Sequence, residues 1–154
     1  MLFDETIYRN MFAALNEAEK ALEEEEVPIG AIVVYKNRII GRGYNQTERL
    51  NDSTAHAEML AITAAANHLQ SKFLTDCDLY VTVEPCVMCT GAIILSRIRN
   101  LYFGSFEPKF GACGSLYNLV ENPQNNHKIN VYSGIYAEES KNLLKQFFAK
   151  KRIN

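Results

Sequence analysis

The feature that most constrains this chain is a cysteine pair with C-x-x-C spacing in the stretch E-P-C-V-M-C, residues 84–89. Thirty residues before Cys86 stands the sequence H-A-E, residues 56–58. Two cysteine sulfurs and one histidine nitrogen are zinc ligands, and a set of three leaves the fourth tetrahedral position to water. Any fold of this chain must therefore bring His56 to Cys86 and Cys89, the predicted ligands of one zinc ion per chain.

Hydrophobic periodicity divides the chain into alternating helices and strands. The pattern predicts helices over 5–26, 56–69, 86–96 and 137–151, and strands over 29–35, 38–44, 78–83, 99–105 and 128–132. Lys36 and Asn37 are expected to form the two-residue turn of a hairpin between the first two strands. Pro28 is expected to stop the first helix, Ser53 or Thr54 to cap the second, and Pro85 to lie in the first turn of the third. Strand-helix-strand steps form parallel crossovers, so this order predicts an α/β fold: a three-layer α/β/α sandwich with a mixed central sheet of about five strands. Its length, 1–154, suits a single domain.

The spacing of the motif residues fixes how they can meet. Cys86 and Cys89 are i and i+3 on the first turn of a predicted helix, so both sulfurs lie on one side of that helix end. The positive helix terminus favours their thiolate forms. His56 and Glu58 point about 200° apart around a helix axis and can converge only at its tip. We therefore expect two helix N-termini to face each other where strands end.

The predicted chemistry is metal-assisted hydrolysis. Zinc lowers the pKa of a bound water from 15.7 to roughly 7, which makes hydroxide available at neutral pH. Glu58 is too close to His56 in sequence to be another ligand in tetrahedral geometry. A carboxylate beside the bound water can take its proton and pass it on, so Glu58 is the predicted general acid-base.

A closed structural zinc site is the alternative, with Cys77, Cys113 or His68 as the fourth ligand. The carboxylate of H-x-E on a separate helix favours catalysis, because a structural site has no use for it. Cys77 and Cys113 are otherwise expected to be buried thiols, since a reducing compartment disfavours disulfides. His68 and His127 are each expected to be a surface or core residue.

Charge is distributed unevenly along a chain whose formal net charge is −2. Residues 1–26 hold eight acids against two basic residues, and the run 23–26 is expected to be a solvated helix end. Residues 141–154 hold five basic residues and no acid, so a polyanion should meet this end. The acidic N-terminus does not resemble a secretory signal, and no apolar run approaches the ~18 residues of a membrane span. These features predict a soluble cytoplasmic protein.

Beyond H-A-E and P-C-x-x-C, further segments resemble the bacterial tRNA-specific adenosine deaminases of the zinc-dependent cytidine and deoxycytidylate deaminase superfamily. These segments are V-P-I-G-A-I-V-V at 27–34, G-Y-N at 43–45, T-A-H-A-E at 54–58, G-A-C-G-S-L at 111–116, N-H at 126–127 and F-F at 147–148. The resemblance implies a cytidine deaminase-like fold and a homodimer. It also implies conversion of adenosine to inosine at the wobble position of a tRNA anticodon stem-loop, with the target base flipped into the pocket.

The resemblance also assigns roles to individual positions. His56, Cys86 and Cys89 would bind zinc, Glu58 would shuttle protons, and Asn45 would hydrogen-bond the base. Pocket-lining and pocket-mouth roles fall to Ile29, Ala57, Pro85, Phe147 and Phe148. The two phenylalanines could equally belong to the core, because the final helix is expected to turn Leu143, Leu144, Phe147 and Phe148 inward.

Two departures from the family pattern affect the RNA contacts. Glu107 stands where the family usually has an aspartate that meets the flanking nucleotides, and Pro108 follows it. Ala149 stands where an arginine is common, so the predicted phosphate contacts rest on the basic residues Lys109, Lys150, Lys151 and Arg152. Binding through phosphates predicts a steep loss of RNA affinity with salt.

Two other functions remain open on the sequence. The same metal site could serve a free nucleobase or nucleoside deaminase of the guanine or cytosine type, which would not need the basic C-terminal helix. A zinc-stabilised RNA-binding module without catalysis is the second alternative.

Overall fold

The computed structural model describes residues 2–153 and shows a five-stranded sheet between two layers of helices. The helices are α1 Glu5–Glu23, α2 Ala57–Leu69, α3 Val87–Leu95 and α4 Ala137–Ile153; the strands are β1 Gly30–Tyr35, β2 Arg38–Tyr44, β3 Cys77–Val83, β4 Asn100–Ser105 and β5 Asn130–Tyr132. The strand order is β2-β1-β3-β4-β5, with β1 antiparallel to both neighbours and β3, β4 and β5 parallel. The predicted three-layer sandwich with a mixed sheet is confirmed.

The core lies on both faces of the sheet, and β1 contributes to both. Val33 packs in the cluster that contains Ala61 of α2 and Ile93 of α3. Its neighbour Ile32 packs with Met11 of α1 on the opposite face. Alternation along one strand therefore joins the two helix layers to the same sheet.

Helix α2 lies unusually close to β2 because glycines face it. A Cβ atom at Gly43 would stand 2.3 Å from the carbonyl oxygen of Ala57, and one at Gly41 would stand 2.4 Å from that of Ala61. Only glycine permits such an approach of backbone to backbone. The close packing fixes the start of α2 beside the end of β2.

The hairpin between β1 and β2 turns at Lys36 and Asn37, as predicted. Both residues have positive φ angles, 49° and 62°. Two-residue loops of this kind match the twist of the strands that they join. The antiparallel edge of the sheet is thus determined by local sequence.

The predicted end of the first helix is wrong, because α1 ends at Glu23 and not at residue 26. Glu25 adopts a left-handed conformation with φ 63°. The N–H of Glu26 donates to the carbonyl of Ala21 at 2.9 Å, and the N–H of Glu25 donates to that of Leu22 at 3.1 Å. This pair of hydrogen bonds is a Schellman cap, so the helix stops before Pro28 can act.

Glu26 also contradicts the expectation of a solvated glutamate run. Its side chain is buried, and its carboxylate accepts the backbone N–H groups of Glu48 at 3.1 Å and Arg49 at 2.8 Å. A buried carboxylate that accepts these hydrogen bonds gives partners to two backbone N–H groups of the loop. Glu26 therefore holds the loop that follows β2.

Helix α4 carries Lys150, Lys151 and Arg152 in its last turn, and their side chains are exposed. Its buried side includes Leu143 and Phe147. Within residues 2–153, no helix is long and apolar enough to cross a membrane.

Candidate active site

The predicted site residues gather at one edge of the sheet. Strands β2, β3 and β4 all end at this edge, where α2, α3 and a long loop respectively take over the chain. β1 begins there, since Gly30 pairs with Tyr44. The carboxyl ends of strands that run the same way are where open α/β sheets form ligand sites.

Two helix ends build the cluster of metal-binding groups. His56 is the N-cap of α2 and Cys86 is the N-cap of α3, and neither side chain caps its own helix. Both are therefore free to point away from their helices. The Sγ atoms of Cys86 and Cys89 each lie 3.6 Å from Nδ1 of His56. The predicted meeting of two helix N-termini is thus present in the fold.

Two details of these helix ends differ from expectation. Thr54 does not cap α2, because its N–H and hydroxyl both donate to the carboxylate of Asp52, at 2.8 and 2.7 Å. Pro85 precedes the N-cap of α3 instead of lying in its first turn. Both shifts leave the N-cap positions to the ligand side chains His56 and Cys86.

The three ligand atoms fit a zinc ion. Tetrahedral ligands about 2.3 Å (sulfur) and about 2.0–2.1 Å (nitrogen) from zinc lie about 3.6 Å apart, the separation found here. All three atoms lie within 4.8 Å of one another. Among residues 2–153 the group contains none of Cys77, Cys113 and His68, so the described residues offer three candidate ligands and not four.

The protonation state of Cys86 also suits metal binding. A hydrogen bond from Cys89, and then one from His56, lowers the pKa of Cys86 to about 4. The same sulfur pair raises the pKa of Cys89, chiefly through its hydrogen bond to Cys86 and then through burial. The hydrogen bond with Cys86 raises the pKa of His56. Cys86 is therefore a thiolate at neutral pH, the form that binds metal.

Glu58 lies one residue into α2 beyond Ala57, buried beside this cluster. Burial is the largest effect on its carboxyl group and raises its pKa to about 7. A carboxyl group with this pKa can both accept and release a proton near neutral pH.

A cavity of about 330 Å³ opens over the cluster. It brings together eight of the predicted site residues: Ile29, Asn45, His56, Ala57, Glu58, Cys86, Glu107 and Phe148. The sequence reasoning missed five others: Val27, Thr47, Val83, Glu84 and Phe110. Glu84 could have been identified from the sequence, since it stands in the E-P-C motif. Phe110 lies in the long loop after β4.

Asn45 has an unusual environment. The side chain is buried and lines the cavity, and its Nδ2 donates to the carbonyl of Val27 at 3.4 Å. Its Oδ1 has no hydrogen-bond partner. Among residues 2–153, it is the only buried side-chain nitrogen or oxygen atom without one. A buried acceptor without a donor is costly unless a ligand completes it.

The remaining predicted residues do not line the cavity. Cys89 and Pro85 are buried and absent from its lining, and Lys109, Lys151 and Arg152 are exposed outside it. Phe147 is 8% exposed and belongs to the inner side of α4, whereas Phe148 is 48% exposed and faces the cavity. The expectation that both phenylalanines point inward is therefore wrong for Phe148.

Comparisons with known proteins agree with the site. A family model described as MafB19-like deaminase matches residues 5–152. The tRNA-specific adenosine deaminase of Aquifex aeolicus is 45% identical, over 92% of this chain and 93% of that protein. A guanine deaminase structure from Nitrosomonas europaea is 25% identical with a TM-score of 0.80, covering 92% of this chain and 84% of that one.

A solved structure from a study of A-to-I editing by tRNA:A34 deaminases at the wobble position of transfer RNA is 46% identical, with a TM-score of 0.85. The match covers 88% of this chain and 99% of the chain in that structure. Sequence identity, coverage and fold thus agree with the motifs at residues 56–58 and 84–89. The chain belongs to the family of tRNA-specific adenosine deaminases.

Proposed function

We propose that this chain converts adenosine to inosine at the wobble position of a tRNA anticodon by zinc-dependent hydrolysis. The observation that carries this proposal is the triangle of His56, Cys86 and Cys89, of which His56 and Cys86 line the same cavity as Glu58. The family of the chain and its 46% identity to a tRNA:A34 deaminase support the choice of substrate.

His56, Cys86 and Cys89 would hold the zinc ion. When bound, zinc supplies a Lewis acid that makes water a nucleophile near neutral pH. The low pKa of Cys86 supports this role, because the thiol need not lose a proton when metal enters.

Glu58 moves the protons of the reaction. Its carboxylate takes a proton from the attacking water while the water oxygen bonds to C6 of adenine. The carboxyl group gives this proton to the ring nitrogen N1. It then takes the remaining proton of the former water from the C6 hydroxyl and gives it to the amine, so the C6–N bond breaks, C6 becomes a carbonyl and ammonia leaves. Adenosine and water thereby become inosine and ammonia. The pKa of about 7 suits a group that must work in both directions.

Asn45, Ile29 and Ala57 would hold the flipped base. The unpartnered Oδ1 of Asn45 can accept a hydrogen bond from an N–H of the purine, which would give this buried acceptor a partner. The cavity volume of about 330 Å³ lies at the small end of ligand pockets, in keeping with a single base. The target base can enter a cavity of this size only after it has left the stack of neighbouring bases.

Contacts to the surrounding RNA would come from the rim and from α4. Phe148 is half exposed at the cavity, and exposed aromatic rings stack on unpaired bases. Glu107 lines the same cavity. Phosphates would meet the exposed cations Lys109, Lys150, Lys151 and Arg152.

We also propose that two copies of the chain form a homodimer in which the α3 helices pack against each other. Val87, Gly91 and Leu95 are four residues apart and share one face of this helix. Leu95 is 78% exposed, and the space beside Gly91 is open. An apolar helix face with a glycine at its centre suits close packing against a second copy.

The direct test is incubation of the purified protein with total tRNA, followed by sequencing for A-to-G changes at the wobble position. The Glu58→Gln variant serves as the control for contaminating activity. The fold similarity to a guanine deaminase makes free guanine the second substrate to assay. Deamination of guanine or cytidine, with tRNA left unchanged, would refute the proposal. A version truncated after Gln146 should lose activity on tRNA, whereas a small-molecule deaminase should keep its activity.

A further inference from the structure

The loop after β4 forms one wall of the cavity through Glu107 and Phe110. Phe110 is 66% exposed, so little packing holds its side chain in place. Between residues 106 and 129 the chain has no helix or strand, only an isolated bridge between Cys113 and Asn118. The loop has internal turns, such as the one in which the N–H of Gly111 donates to the carbonyl of Glu107 at 2.8 Å. Its position beside the cavity depends on contacts from outside the loop.

One side chain provides most of these contacts. The carboxylate of Glu84 is 3% exposed and accepts the backbone N–H groups of Glu107, Cys113 and Ser115, each at 3.0 Å. It also accepts the hydroxyl of Ser115. Four donors from one loop thus converge on two oxygen atoms, and hydrogen bonds to an ionised acceptor are stronger than neutral ones.

The loop wraps tightly around this carboxylate. A Cβ atom at Gly111 would stand 2.4 Å from Cδ of Glu84 and 2.5 Å from the carbonyl oxygen of Glu107. The backbone of the motif adds a further bond, because the N–H of Ala112 donates to the carbonyl of Pro85 at 2.9 Å. The loop is consequently fixed to the same E-P-C segment that ends in a metal ligand.

We infer that Glu84 is a positioning residue for RNA. Its carboxylate holds residues 107–115 so that Glu107 and Phe110 stand at the cavity rim, where they contact the nucleotides that flank the target base. This inference rests on the proposed function, and it assigns to Glu84 control of RNA affinity without a part in the proton transfers.

The inference predicts a distinctive effect for Glu84→Gln. Glutamine has the same shape, but its NH₂ group replaces one acceptor with a donor that faces other donors. At least one backbone N–H in the loop then loses its partner. The rim should shift while the ligand triangle and Glu58 stay in place.

The experiment measures KM and kcat for an anticodon stem-loop RNA, together with zinc content. Glu84→Gln should raise KM by about tenfold or more, with kcat and zinc content close to wild type. The matched control is Glu17→Gln, since Glu17 is also 3% exposed but lies on α1, outside the cavity. Gly111→Ala is the second variant: it keeps Glu84 chemically unchanged, but its methyl group would push the loop and the carboxylate apart, so it should raise KM in the same way.

A fall in kcat with unchanged KM for Glu84→Gln would overturn the inference, as would an equal rise in KM for Glu17→Gln. Failure of the proposed function would look different, because the wild type itself would not deaminate the stem-loop. In that case, faster hydrogen exchange at the amides of Cys113 and Ser115 together with weaker stem-loop binding in Glu84→Gln would still support the positioning role. Unchanged exchange and binding would refute it.

Discussion

The Sγ atom of Cys86 lies 3.6 Å from Nδ1 of His56, although the two residues are 30 positions apart in the chain. Each is the N-cap of a different helix, and each leaves its own helix without a side-chain cap. Two helix ends thereby give up local stabilisation, typically ~1 kcal/mol for a cap, and aim their side chains at one point. A ligand bound between the two side chains would explain why neither of them caps its own helix.

Replacing Cys86 with serine should therefore remove bound zinc, because a hydroxyl is a poor substitute for a thiolate ligand. Metal analysis of the purified variant measures the effect. Cys77→Ser is the matched control: this thiol is also free and buried, and burial raises its pKa to about 11, but it lies outside the triangle. Retention of a full equivalent of zinc by Cys86→Ser would contradict the ligand assignment.

Glu58→Gln should abolish deamination without loss of zinc. The amide keeps the shape of the side chain but cannot carry a proton, and general acid-base groups typically contribute about 10²–10⁴-fold to rate. Inosine formed in a single turnover is the measurement, with zinc content determined on the same sample. A variant that keeps its rate would show that another group shuttles the protons.

Asn45→Ala should raise KM for the RNA, since it removes the acceptor that the fold leaves without a partner. Loss of one such hydrogen bond costs about 0.5–1.5 kcal/mol, or roughly a threefold to tenfold change in KM. Asn10→Ala is a suitable control, because Asn10 is a buried asparagine on α1. Equal effects from both variants would indicate general destabilisation.

RNA affinity should fall steeply with salt, and the cations of α4 should account for part of the slope. For single-stranded RNA, removing one phosphate contact reduces the slope of log K against log salt by about 0.7. Binding titrations with Lys150→Gln and Lys151→Gln should show this change. Lys141→Gln should not, because Lys141 lies at the opposite end of α4 beside Glu138. A flat salt dependence of the wild type would exclude phosphate contacts as the source of affinity.

Leu95→Asp should convert the proposed homodimer into a monomer, because it places a charge in the apolar face of α3. Sedimentation velocity at several concentrations measures the change. Leu2→Asp is the control, since Leu2 is also an exposed leucine but lies far along the chain from α3. A wild-type chain that sediments as a monomer at all concentrations would contradict the proposal.

The sequence by itself predicted which side chains meet at the site. Ligand type and spacing predicted that His56 converges with Cys86 and Cys89, and the two-residue step to Glu58 required the tip of a helix. This convergence is present in the fold, and it was predictable because it depends on the local geometry of two helix ends. The layered fold followed for the same reason, since strand and helix periods are local signals.

Only the tertiary structure determined which residues surround the site and which of them are buried. Glu26 and Glu84 look like ordinary acidic residues in the sequence, yet each is buried and holds a loop beside the cavity. Phe147 and Phe148 are adjacent and chemically identical, yet one is core and the other faces the cavity. Burial of a given side chain depends on which distant segments pack over it, and that information is absent from its local sequence.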